Sequence, residues 1–441
     1  MNRRQFFTAK TLAAGIAAEA AADMQAVTRG RQGGAAGVKP LRMGFVGVGG
    51  RGSFHLDTCL GLPGIQVTAI CDINPDYLYR AKRYVEATGQ PSPRLYGRNR
   101  TDWLRMCEKE DFDIVAVGTP WEWHTPICVA AMRNGKHAAT EVPAALTLDE
   151  CWELIETSEK TGRHTLMLEQ VNYFQDILRL LHMAQTGMFG EILHAAGGYV
   201  HDLRFVKTDP GEEPWRMQYE FDHNGNLYPT HPIGPIAWWL NINRGDRFDT
   251  LVSISSRSGM NNAWMDRWYG PRHPYATMPM KQGDCNTSLL TTVGGKTVNL
   301  HYDTNTPHPH TGEFRLQGSR GHYAGNQQGI YIEGRSPKPD VWERYPDDYK
   351  SIDHPLWGTL DPSKYKTARG HGGGIDTALM WERYFKAIRT GTQPDMPVTD
   401  AATWSAIIPL SERSVAARGR SVDFPDFTRG KWKTTPPIKL V

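Results

Sequence analysis

The chain of 441 residues reads as an α/β protein whose first domain is a doubly wound parallel sheet. Three observations predict this. A short apolar run, Leu41 to Val46, leads straight into glycines at 47, 49 and 52. A second apolar run, Ile65 to Ile70, closes on Cys71-Asp72, with Asp72 20 residues after Gly52. A third stretch, Asp111 to Pro120, carries Ile-Val-Ala-Val at its centre and ends in a turn. Strands of this kind alternating with helical segments form a parallel sheet covered by helices on both faces.

Each element can be justified in turn. Gly47, Gly49 and Gly52 have the G-x-G-x-x-G spacing of a Rossmann domain. The first glycine permits a tight turn, the second a close approach to a pyrophosphate, and the third close packing of helix on strand. Gly50 and Arg51 complete the turn, and Ser53 to Leu62 reads as the helix whose N-terminus faces the phosphates. Asp72 stands where an acidic residue holds the adenosine ribose hydroxyls. A carboxylate there repels a 2′-phosphate, so NAD is expected rather than NADP. Trp121-Glu122-Trp123-His124 follows the third strand at its C-terminal edge, where open α/β sheets bind ligands. A helix over Thr125 to Asn134 leads to a strand that closes at Glu141-Val142-Pro143. A strand from His164 to Gln170 precedes Asn172-Tyr173. Asn172 can give and take hydrogen bonds near a nicotinamide, and Tyr173 is a reserve proton-transfer group.

Composition narrows the class further. Fifty basic and 47 acidic side chains leave a net charge of +3, too balanced for nucleic acid as the main partner. Fourteen Trp and seventeen Tyr offer flat amphipathic surfaces of the kind that sugar sites, cores and interfaces all use. The six cysteines form no C-x-x-C pair, and five fall in strand or helix, so free core thiols are expected. The start, Met1-Asn2-Arg3-Arg4-Gln5-Phe6-Phe7 followed by an Ala-rich stretch, reads as a twin-arginine export signal, with Ala18-Glu19-Ala20 as a cleavage site and a polar linker after it. A periplasmic or secreted protein without a membrane anchor is expected. That route exports folded proteins, and a dinucleotide trapped before export suits chemistry that does not consume it.

The expected boundaries are 1–37 for signal and linker, 38–170 for the NAD-binding domain and 171–441 for a second, substrate-binding domain. In the second domain, Tyr228-Pro229-Thr230-His231-Pro232 sets a histidine between two prolines at the start of a helix reaching Trp239. Such a histidine accepts a proton near neutral pH, or is a helix-start residue satisfied by backbone. Arg216 either clamps sugar hydroxyls or pairs with Glu212 or Glu213 at the surface. The stretch Gly259 to Gly283 is turn-rich and reads as a surface excursion over the site or at an interface. The run Asp376 to Thr390 reads as a helix that packs back on the first domain. His308-Pro309-His310 is too weak a pattern for a metal site, and no metal is expected. A homo-oligomer is left open.

The glycine fingerprint, the strand ending Gly118-Thr119-Pro120 with His124 four residues on, and "GKHAATEVPAALTLDE" together resemble the Gfo/Idh/MocA oxidoreductases. That resemblance implies a second α/β domain built on a large, open, mostly antiparallel sheet with one face lining the active site. Two departures stand out. Val142 occupies the place of the family's Glu-Lys-Pro lysine, and Leu227 the place of an aspartate four residues before the catalytic histidine. The export signal, Trp121 to His124, Glu141-Val142-Pro143, Tyr228 to His231 and "HYDTNTPHPHT" (301–311) are similar, more narrowly, to glycoside hydrolase family 109. The resemblance implies an NAD-dependent α-N-acetylgalactosaminidase working by oxidation, elimination, addition and reduction with no net redox. It places cofactor contacts on Gly50 to Gly52, Asp72, Trp121 to His124, Glu141, Val142 and Asn172. It places sugar contacts on Tyr199, Arg216, Tyr228 to His231 and Tyr302, with His231, Tyr302 and Tyr228 as proton-transfer groups. An exported sugar dehydrogenase using NAD or NADP, and a non-catalytic sugar- or NAD-binding protein, are the alternatives.

Overall fold

The computed structural model describes residues 39–359 and 374–440. The expected export signal and linker lie outside the described residues. Six strands, β1 (Leu41–Val46), β2 (Ile65–Cys71), β3 (Arg94–Tyr96), β4 (Ile114–Val117), β5 (His137–Thr140) and β6 (Thr165–Met167), form one parallel sheet in the order β3-β2-β1-β4-β5-β6. Met43, Phe45, Val46 and all four residues of β4 are buried, as strands covered on both faces require. The order reverses between β1 and β4, and such switch points open a crevice beyond the strand ends. The first helix begins at Gly50, three residues earlier than the pattern suggests. The strand expected over Asp111 to Pro120 is the shorter β4, because Asp111 and Asp113 leave it to pair with Arg42.

Nine strands make the second sheet: β7 (Ile192–Val200), β8 (Phe248–Ser255), β9 (Cys285–Thr292), β10 (Thr297–Asp303), β11 (Arg315–Gly318), β12 (Gly321–Ala324), β13 (Gly329–Ile332), β14 (Glu343–Arg344) and β15 (Val422–Asp423). Their order is β14-β13-β12-β11-β7-β10-β9-β8-β15, and every neighbouring pair is antiparallel except β7 with β10. The large, mostly antiparallel sheet is therefore present. Alternation along β9 gives it one covered and one open face: Asn286, Ser288 and Leu290 are buried while Thr287, Leu289 and Thr291 are exposed. Tyr302 on β10 lies directly opposite Tyr199 on β7, so both share the covered face.

The stretch 259–283 is mostly exposed or half-buried, as a surface segment is, but it is not made of turns alone. It holds two helices, Met260–Tyr269 and Pro274–Thr277. Buried Asn261 and Met265, four residues apart, supply the inward stripe that glycine and proline content masks. The helix Ile375–Thr390 does pack on the first domain: Trp381 donates to His55 Nδ1 (3.0 Å) and Tyr384 to the Ala138 carbonyl (2.7 Å). All six cysteines are free thiols, five of them buried. Among the described residues no helix is long and apolar enough to cross a membrane.

Candidate active site

A cleft of about 1060 Å³ runs along the C-terminal ends of β1, β2, β4 and β5 and is closed from the other side by residues 211–228. Its floor is the glycine loop. Gly47 has φ +78°, and a Cβ there would sit 2.7 Å from the Gly118 carbonyl oxygen. A Cβ on Gly52 would sit 1.8 Å from the Gly47 carbonyl oxygen, so only glycine lets the helix meet the strand. The second glycine is less constrained, since a Cβ on Gly49 meets only the Tyr77 ring at 3.1 Å. Gly50, at the head of the helix, opens on the cleft. The first N–H groups of a helix have no carbonyl one turn back, and they suit a pyrophosphate.

Asp72 ends β2 and ties the loop down, accepting from Val48 N (2.7 Å) and Asn74 N (2.8 Å). Burial pushes its pKa up, and those two backbone donors oppose the shift. Glu141, at the end of β5, accepts from Arg51 Nε (3.1 Å), His55 Nε2 (2.6 Å) and Val142 N (3.2 Å). Burial opposes its charge, yet the Arg51 guanidinium and the His55 hydrogen bond outweigh that and hold it well below the usual carboxylate range. His55 Nδ1 accepts from Trp381, so its proton sits on Nε2, toward Glu141.

Trp121, Glu122 and Trp123 form a single 3₁₀ turn after β4. Trp121 packs against Tyr219 (4.6 Å between centroids) and Tyr228 (5.5 Å). The Arg216 guanidinium lies 4.9 Å from the Trp121 ring centre, 4.8 Å from Trp215 and 5.2 Å from Tyr228. Arg216 also pairs with Glu213. The ion pair named as one alternative thus exists, but inside the cleft wall and not out on the surface. Glu122 accepts from the Tyr219 hydroxyl (3.0 Å). His124 is fully buried with its ring nitrogens on the Pro143 (2.6 Å) and Thr119 (2.8 Å) carbonyls, so its polar atoms bind the chain itself. Burial lowers its pKa.

Tyr228 forms part of the cleft wall, and behind it stands an aromatic group. Its ring is 4.5 Å from Tyr199 and 5.0 Å from His231, and Tyr199 is 5.5 Å from His231. Tyr302 is the cross-strand neighbour of Tyr199. Burial pushes the phenols of Tyr199, Tyr228 and Tyr302 up. Helix Thr230–Trp239 carries His231 in its first turn, with Pro229 ahead of it accepting from Ile233 N (2.9 Å). Asn172 is fully buried, with neither side-chain atom hydrogen-bonded among the described residues. Its carbonyl oxygen would touch a Cβ on Gly234 at 2.3 Å. The Thr230 hydroxyl is likewise without a partner there. Tyr173, the reserve group, is buried with its hydroxyl on Asp395 (2.9 Å).

The sequence reading missed Glu169. Its carboxylate is fully buried and lies 2.7 and 2.9 Å from His231 Nδ1. The carboxylate that Leu227 does not supply therefore arrives two residues after the end of β6, from the other sheet. With Nδ1–H donated to Glu169, the neutral ring keeps its lone pair on Nε2. A signal was present: an acidic residue closing an apolar parallel strand at its ligand-binding end. Next to Tyr302 along β10 and β9, Cys285, His301 and Asp303 bring a thiol, an imidazole and a carboxylate within 4.8 Å of one another. The Asp303 oxygens are already taken by Asn305, Thr306 and Cys285.

Residues 173–434 match the family described as glycosyl hydrolase 109, C-terminal domain. The chain belongs to glycoside hydrolase family 109. Residues 41–169 match the oxidoreductase family with an NAD-binding Rossmann fold, the expected partner domain. An α-N-acetylgalactosaminidase of Tannerella forsythia is 41 % identical over 98 % of both chains. A family 109 protein of Shewanella pealeana is 39 % identical over 91 % of this chain and 88 % of its own. Among solved structures, levoglucosan dehydrogenase in complex with NADH shares the fold at TM-score 0.68 and 19 % identity, over 88 % of this chain and all of that one. This family 109 chain is accordingly a glycoside hydrolase with NAD as its cofactor, and the Gly47–Gly52 cradle fits that cofactor, while Asn172, assigned to it from the sequence, is buried outside the cleft lining.

Proposed function

We propose that this protein hydrolyses terminal α-N-acetylgalactosaminides by oxidation, elimination, addition and reduction. One observation carries the reading: Tyr228 both walls the cofactor cleft and touches His231 and Tyr199, so proton-transfer groups meet the dinucleotide site at a single residue. NAD⁺, when bound, supplies a hydride acceptor at sugar C3 and later returns the hydride, so the overall reaction is hydrolysis.

The chain's own groups handle the protons. His231 Nε2 takes the proton of the C3 hydroxyl, and the Glu169 carboxylate supports the imidazolium through Nδ1–H. A ketone at C3 makes the C2 proton acidic. The phenolate of Tyr302 or Tyr228 removes it, the bond from C1 to the leaving group breaks, and the leaving oxygen takes up a proton. Water then adds at C1 and the proton returns to C2. Arg216 and Tyr199 hold the sugar, while Val142 can move no proton. A pair of carboxylates flanking the glycosidic bond is not required, as in other NAD-dependent glycosidases.

The test is turnover of an aryl α-N-acetylgalactosaminide in deuterated water with no NAD added. Aryl release with deuterium at C2 and no net NADH supports the reading. No release, with steady NADH formation from free sugars when NAD⁺ is supplied, replaces it with a dehydrogenase. The reading includes export of the folded protein by the twin-arginine route. Replacing Arg3 and Arg4 by lysine should then hold the protein in the cytoplasm, and unchanged export would defeat that part.

A further inference from the structure

Lys207 sits on the short helix Arg204–Thr208 beside the paired ends of β7 and β10. It is 2 % exposed and bonds to Glu220 Oε1 (2.9 Å), Thr304 Oγ1 (3.3 Å) and the Asn305 side-chain oxygen. Glu220 is also 2 % exposed, and its second oxygen accepts from Asn261 Nδ2 (3.0 Å) and Asn305 Nδ2 (2.9 Å). A buried ion pair is a poor stabilising device, because desolvation offsets most of the attraction and an apolar pair would serve as well. Its place in the fold points to another use.

The hydrogen bonds have a direction. An ammonium only donates, so the Thr304 hydroxyl accepts from Lys207 and has its own proton to give. The nearer of its two acceptors is the Tyr302 hydroxyl oxygen at 3.1 Å, Asn305 Oδ1 being 3.4 Å away. A donor chain that starts on a buried cation thus ends on the phenol oxygen of Tyr302. That oxygen then has its acceptor site filled from behind, and its own O–H is left to point elsewhere.

We propose that Lys207 is a positioning residue for Tyr302: acting through Thr304, it turns the Tyr302 hydroxyl toward the sugar and supports the phenolate that takes the C2 proton. Glu220 keeps the ammonium in place and makes the pair neutral. The charges facing Tyr302 are Glu220, Arg216 and Tyr199, and those facing Lys207 are Glu220, Asp202 and Arg216. Burial and the Glu220 carboxylate raise the Tyr302 pKa, and the Thr304 hydrogen bond opposes them.

The kinetic half of the test rests on the reaction proposed above, and the spectroscopic half does not. Lys207→Met should leave the single-turnover NADH transient at 340 nm within about twofold, slow deuterium entry at C2 by about tenfold or more, and move the basic limb of the pH profile. Lys207→Arg should restore both. Independently, 3-fluorotyrosine placed at 302 should titrate about one pH unit higher in Lys207→Met than in the wild-type background, read by ¹⁹F NMR. If Lys207→Met does not fold, the neutral pair Lys207→Met with Glu220→Gln should show the same slowed exchange relative to hydride transfer. An unchanged fluorotyrosine titration, or exchange and hydride transfer slowed equally, overturns the proposal. A wild-type enzyme that releases no aryl group defeats the reaction alone and leaves the NMR comparison to decide the role of Lys207.

Discussion

Replacing Glu169 by glutamine tests the histidine dyad with little change of shape. The carboxylate is fully buried and touches His231 Nδ1 at 2.7 and 2.9 Å, while Oε1 also accepts from Val171 N at 3.2 Å. The amide oxygen of glutamine can still accept from Nδ1–H, so the tautomer and the local backbone survive. What is lost is the negative charge that supports the imidazolium formed when the C3 hydroxyl gives up its proton. A hydrogen bond to a charged group is worth about 1.5–3 kcal/mol. At about 1.36 kcal/mol per decade, kcat should fall about 10- to 150-fold. Glu169 lies behind His231 and outside the cleft wall, so KM should change little. The assay is aryl release at saturating substrate together with the 340 nm transient, which should slow by the same factor. Circular dichroism would confirm that the variant is folded. A kcat within about twofold of wild type in a folded variant would refute the assignment of His231 as the base supported by Glu169.

Three further expectations follow from the same geometry. Gly52→Ala sets a Cβ 1.8 Å from the Gly47 carbonyl oxygen, so the purified variant should have lost its NAD, measured after heat release, and one NAD per chain would contradict the cradle. Arg216→Lys replaces a flat guanidinium lying among three aromatic rings with a point charge, so kcat/KM should fall about tenfold or more, and wild-type kcat/KM would remove Arg216 from the site. Asp376, buried at the start of the helix Ile375–Thr390, has its pKa raised by burial from 3.8 to about 6. The folded state therefore holds this proton more tightly than the unfolded one, and stability is lost as pH rises from 3.8 through about 6. Asp376→Asn should then raise the Tm at pH 7, by up to about 3 kcal/mol of stability, and make no difference near pH 3.5, both read by calorimetry. A variant less stable than wild type at pH 7 would show that the charge is compensated.

The parts of the site written in the sequence are those where sterics forbid alternatives. Gly47 and Gly52 must lack a Cβ because two backbone carbonyls stand in the way, so their spacing is visible without any structure. The prolines at 229 and 232 mark His231 as a helix-start residue, while its role as a base came only from the resemblance to family 109. Glu169 carried a signal as an acid closing a parallel strand, but its pairing with His231 was not legible, because 62 residues separate it from a helix in the second domain and no spacing rule links the two. Arg216 was found, but its setting was not: whether an arginine lies outside a fold or between Trp121, Trp215 and Tyr228 depends on how two domains close on each other. The helices at 260–277 were obscured by their glycines and prolines, which mark the ends of those helices and not the absence of structure.

The origin of the dyad bears on how the enzyme keeps its cofactor working. Glu169 follows the last strand of the first sheet, and His231 opens a helix of the second domain, so the base is complete only when the two domains are seated together. That seating does not depend on a ligand. Ala144 N donates to Ser405 Oγ (3.1 Å), Cys151 Sγ to the Ala402 carbonyl (3.5 Å), Tyr384 to the Ala138 carbonyl and Trp381 to His55. These bonds are buried, and they join helices from the far end of the chain to three different elements of the first domain. Opening the seam would expose Trp381 and Trp404, both fully buried, together with the polar groups those bonds satisfy. A hinge at this interface is therefore expensive, and the dyad is set before substrate arrives. An enzyme whose cofactor must be oxidised and reduced again within each turnover gains from that arrangement. The buried seam favours one geometry of proton acceptor, cleft and glycine loop for both hydride transfers.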